Sequence, residues 1–100
     1  MSNTHTNDRM IISIKGNLTY FSEVMTLAEL QAVVGGLIEV VNLPDVRGHK
    51  TNHVMIVNEE FLVKSLNPNV EGMGVNTIAS ALAGKLICGN VLVIPRRDLN

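Results

Sequence analysis

The sequence predicts a small α+β domain: a mostly antiparallel sheet with elements in the order ββαββαβ and two helices packed on one face of it. Three observations carry this. Two short apolar runs rich in β-branched or aromatic residues flank Gly16-Asn17 at hairpin spacing. A capping box and a double glycine bracket a short helix that begins at Thr26. Beyond it, apolar runs too short for helices alternate with turn chemistry, and one further helical pattern lies among them.

Taken in order, Met10 to Ile14 and Leu18 to Phe21 read as the two arms of the hairpin. In Thr26-Leu27-Ala28-Glu29 the threonine hydroxyl can accept the Glu29 amide while the carboxylate returns to the Thr26 amide. Leu27, Leu30, Gln31 and Val34 then share one helical face, and Gly35-Gly36 ends the helix. Leu37 to Leu43 reads as a strand stopped by Pro44, and Asp45 to Asn52 as a polar loop. His53 to Val57 is the next strand, closed by Asn58-Glu59-Glu60, with Phe61 to Val63 continuing it or opening a connection. After an irregular stretch from Ser65 to Gly74, Val75, Ile78, Ala79, Leu82 and Leu86 mark one face of a second helix. Its many small residues imply close packing. Ile87 to Ile94 is the last strand, interrupted at Gly89-Asn90 and stopped by Pro95. The domain is expected to span residues 9–97, behind a flexible polar lead at 1–8 and before a tail at 98–100.

One hundred residues fit one core. Eight basic residues against nine acidic ones, net charge −1, and three aromatics argue against a nucleic-acid polymer as partner. No apolar run approaches the length of a membrane span or of a signal peptide's core, so a cytoplasmic protein is expected. Only 17% of residues are charged, which leaves few charges to keep copies apart and favours a homo-oligomer.

The sequence offers little catalytic chemistry. No serine lies in a G-x-S-x-G turn, and Cys88 reads as a small buried hydrophobe rather than the partner of His49 or His53. His49 and His53 have helical ligand spacing but fall in loop-type sequence, so no metal and no cofactor are expected. Glu59 and Glu60, on extended chain, would point to opposite faces and cannot easily act together. Gly72-Met73-Gly74 precedes a helix and could offer backbone amides to an anion, and Arg96-Arg97 could clamp a phosphate or carboxylate. The candidate ligand-binding set is therefore Arg96, Arg97, Gly72 and Gly74, with Asn69 and Glu59 beside them.

Leu30-Gln31-Ala32-Val33-Val34-Gly35-Gly36-Leu37-Ile38-Glu39-Val40-Val41 is followed by Val57-Asn58-Glu59-Glu60 and Leu66-Asn67-Pro68-Asn69. This pattern resembles a family of small uncharacterised domains found in bacteriophages and in plasmid-bearing and actinobacterial genomes. The resemblance runs from about Thr26 to Asn69 and again over Ile87 to Val93; Phe61 stands where the family tends to have glycine. The family carries no assigned activity, so the resemblance implies a phage-type accessory protein without naming a reaction. Two non-catalytic functions fit. One is sequestration of a small anionic ligand, such as a host nucleotide signal, in the manner of an anti-defence sponge. The other is a module that binds a host protein and inhibits or redirects it.

Overall fold

The computed structural model describes residues 8–43, 52–60 and 74–99. Its elements are β1 (Arg9–Ile12), β2 (Leu18–Phe21), α1 (Leu27–Val34), β3 (Ile38–Asn42), β4 (His53–Asn58), α2 (Thr77–Ala83) and β5 (Val91–Pro95), closed by a 3-10 turn, Arg96–Leu99. The order is the expected ββαββαβ. The strands form one five-stranded sheet, β2-β1-β5-β4-β3, antiparallel at every pairing. The last strand thus inserts at the centre, between the hairpin β1–β2 and the pair β3–β4.

The helices do not share a face. Along β4 and β5 alternate side chains point to opposite sides. Val54, Ile56, Leu92 and Ile94 pack with Leu30 and Val34 of α1, whereas Met55, Val57, Val91 and Val93 pack with Ala79 and Ala83 of α2. The fold is a helix–sheet–helix sandwich, which corrects the one-face expectation. The physical reason is the apolar content of β4 and β5. Their buried residues occupy both parities, so both faces need a cover.

Local chemistry sets the helix ends. The capping box forms as expected: the Glu29 amide donates to Thr26 Oγ1 at 3.2 Å and the Thr26 amide to Glu29 Oε1 at 2.8 Å. Gly35 stops α1 at φ 82°, and the amides of Gly35 and Gly36 both return to the Gln31 carbonyl. Leu30 and Val34 are the buried members of its face, and Leu27 in the first turn stays exposed. In α2 the periodic reading overshot. The helix starts only after the Asn76 cap and stops at Gly84, so Val75 and Leu86 lie outside it and Leu82 faces solvent. The sheet meets Ala79 and Ile78 of the expected face together with Ala83, and the two alanines let the helix approach closely. The turn at residues 96–99 is anchored through Asp98, whose side chain is buried against Arg9.

Candidate functional site: an edge strand and its groove

The sequence-derived candidates are spread over the molecule. Pro95 pairs with His53, whereas Leu92 pairs with Ile56, so Arg96 and Arg97 sit at the end of the sheet where β4 begins. Glu59 follows the other end of β4, and Gly74 accepts from the Gly89 amide just before β5 starts. The length of β5, about 17 Å at ~3.4 Å per residue, separates the two groups. The arginines also diverge. Arg96 Nη1 donates to Asn42 Oδ1 at 3.2 Å, while Arg97 lies 3.6 Å from the Asp8 carboxylate in an exposed pair. Asn69 and Gly72 lie outside the described residues, as do His49 and residues 61–63.

The other reactive groups are apart as well. Cys88 is buried near the start of β5 and bridges Val75, while His53 sits at the opposite end with Nε2 3.1 Å from the Asp8 carbonyl oxygen. Glu59 and Glu60 form a turn beyond β4 rather than an extended pair. Among the described residues no three His, Cys, Asp or Glu side chains group to hold a metal, and no helix is long and apolar enough to cross a membrane.

What the structure does assemble lies around β2. Among the described residues this edge strand pairs only with β1. The Ser13 amide donates to the Asn17 carbonyl, which makes 13 and 17 a hydrogen-bonded pair of the ladder. Pairing alternates along an antiparallel ladder, so Thr19 and Phe21 bond inward to β1. The N–H and C=O groups of Leu18 and Tyr20 then point outward, with no partner among the described residues. Leu-Thr-Tyr-Phe has no charge and no proline, the usual guards of a sheet edge.

On the α1 side of this strand the chain from β2 to α1 folds around a groove of about 420 Å³, lined by residues 20–25 and Glu29. A buried ion pair fixes the chain where it enters this segment. Arg9, opposite Phe21, holds Asp98 in a two-pronged contact, Nε to Oδ2 at 2.7 Å and Nη2 to Oδ1 at 2.9 Å. Its remaining arm, Nη1, donates to the Ser22 carbonyl at 2.7 Å and so fixes where the chain leaves β2. The Asp98 hydrogen bonds outweigh desolvation and hold the Arg9 guanidinium above its ordinary pKa. Sequence reasoning missed this cluster. Arg9 heads an apolar run, the one available signal, and its partner is 89 positions away.

The groove's chemistry is mixed. Phe21 and Met25 are half-buried on the α1 side, Val24 is exposed, and Glu23 and Glu29 supply carboxylates; among the described residues no lysine or arginine lines it. Glu29 commits one oxygen to the helix cap and keeps the other. Such a surface can hold an apolar segment and neutralise a cation on it. It contains no nucleophile–base pair.

By fold and site this is a small antiparallel sheet sandwiched by two helices, with a binding-type groove beside an unguarded edge. The chain belongs to the family described as domain of unknown function DUF3846, whose model matches residues 9–98. No curated protein and no solved structure matches the chain.

Proposed function

We propose that this is a non-catalytic module that docks on another protein through the β2–α1 groove. In the phage setting that the sequence resemblance implies, that partner is a protein of the host. The observation that supports this reading is the groove's lining: exposed and half-buried apolar side chains beside two carboxylates, with no basic group among the described residues. Its complement is an apolar peptide segment carrying a lysine or arginine. Sequestration of a small anion would draw on Arg96 and Arg97, which point to different neighbours, so the described residues favour the protein partner.

The test is selection of a displayed random-peptide library on the immobilised domain, paired with calorimetry against cyclic and linear nucleotides. Enriched apolar peptides bearing Lys or Arg are expected, with binding lost in Val24→Asp and kept in Leu82→Asp on the far helix. Saturable nucleotide binding, abolished by Arg96→Ala with Arg97→Ala, would overturn the reading in favour of the anionic ligand.

A further inference from the structure

The outer edge of β2 is complementary to itself. We infer that two copies pair through it, β2 antiparallel to β2, to form a two-fold dimer with one continuous sheet. The outward groups select the register. Among the described residues Leu18 and Tyr20 are the members of β2 that turn N–H and C=O groups outward, and the register that bonds all of these places Leu18 opposite the partner copy's Tyr20 and Tyr20 opposite its Leu18, with Thr19 on the axis facing its own copy. Each of those pairs exchanges both backbone bonds.

The side chains agree with that register. Leu18 and Tyr20 lie on the α2 face of the sheet, opposite Ile12 and Met10, and are 43% and 55% exposed in the single chain. In the dimer they form one apolar cluster across the axis. The two Thr19 side chains meet on the other face at a close, non-hydrogen-bonded position, a favoured cross-strand pair. Apolar groups and backbone groups therefore both find partners in a single arrangement.

The opposite edge lacks these properties. β3 carries the charged Glu39 beside its centre, and a charge is one of the usual guards of a sheet edge. A β2-to-β3 contact between copies would leave a free edge at each end and grow without closing. The β2 pairing closes.

The seam shares Tyr20 with the groove lining, but each idea has its own readout, so the two fail separately. The full chain is to be sedimented across a range of concentrations, and Thr19→Cys and Glu39→Cys oxidised mildly beside the parent, whose buried Cys88 serves as control. A concentration-dependent dimer is expected, with Thr19→Cys locking it covalently and Glu39→Cys and the parent giving no cross-link. Leu18→Lys should weaken the dimer by at least about tenfold while the circular dichroism stays that of the parent. A parent that sediments as a clean monomer at high concentration, open-ended oligomers, or cross-linking of the Glu39→Cys variant in place of the Thr19→Cys variant would each overturn the proposal. Loss of peptide selection with the dimer intact would count against the groove alone.

Discussion

Asn76 occupies a position where several roles meet. Its Oδ1 accepts the Ala79 amide at 3.1 Å and caps α2, while Nδ2 donates to the carbonyls of Ile12 and Gly89 at 3.0 and 2.9 Å. The side chain is 1% exposed, so each lost bond strands a buried carbonyl or amide. Asn76→Ala should therefore cost about 3 kcal/mol in denaturant unfolding, more than the ~1 kcal/mol of an ordinary cap. Asn76→Asp discriminates further. As a cap alone aspartate equals asparagine, but here it would aim acceptors at two carbonyls, so it should be at least as damaging as alanine. A neutral Asn76→Asp would reduce the residue to its capping role. At α1 the contrast is simpler. Thr26→Ala should cost about 1 kcal/mol, and Gly35→Val more, because Gly35 sits at φ 82° where a β-branched residue is strained. Equal melting of both variants with the parent would remove the cap-and-stop account. Gly36 serves a different need: a Cβ there would stand 3.0 Å from Nδ2 of Asn58, which donates to the Val34 carbonyl.

Between elements the Arg9–Asp98 pair ties β1 to the end of the chain and, through Ser22, to the start of the groove. Both side chains are buried, at 7% and 4% exposure, so removing one partner leaves an uncompensated charge. Asp98→Asn should destabilise by roughly 3 kcal/mol, while Arg9→Met combined with Asp98→Leu should recover much of the loss. If the double variant is as unstable as the single ones, the carbonyl of Ser22 rather than the charge pair is what Arg9 serves. Because the Arg9 pKa is raised on folding, its share of stability is present at neutral pH and is lost only in strongly alkaline solution. At this scale the limits of the sequence are also clear. The hairpin, the capping box and the glycine stop were legible because each is written within a few consecutive residues. The opposite placement of the helices was not, because it depends on how chain connections cross the sheet. Yet Val54-Met55-Ile56-Val57 and Val91-Leu92-Val93-Ile94, apolar at both parities, already required two covered faces. The candidate site was less legible still. Charge and glycine content singled out Arg96, Arg97 and Gly74, but the register that sends them to different ends is a long-range property.

For the molecule as a whole, the sheet order predicts how protection of the backbone is distributed. β4 and β5 are flanked by strands on both sides and covered on both faces, so their amides should open only with global unfolding. β2 is different, because its amides alternate between two environments. Those of Thr19 and Phe21 face β1 and belong to the ladder, while those of Leu18 and Tyr20 face outward. In dilute protein, hydrogen exchange should therefore be fast at Leu18 and Tyr20 and slower at Thr19 and Phe21 within the same short strand. Raising the concentration should protect Leu18 and Tyr20 specifically, because pairing of β2 across the two-fold gives those two amides carbonyl partners. Central-strand exchange should change only by the extra stability that association supplies. Leu18→Lys should cancel the concentration dependence at Tyr20 without altering the dilute pattern. Protection that rises instead along β3 would move the association edge to the other side of the sheet. Protection that is uniform along β2 at every concentration would contradict the alternation from which the dimer's register follows.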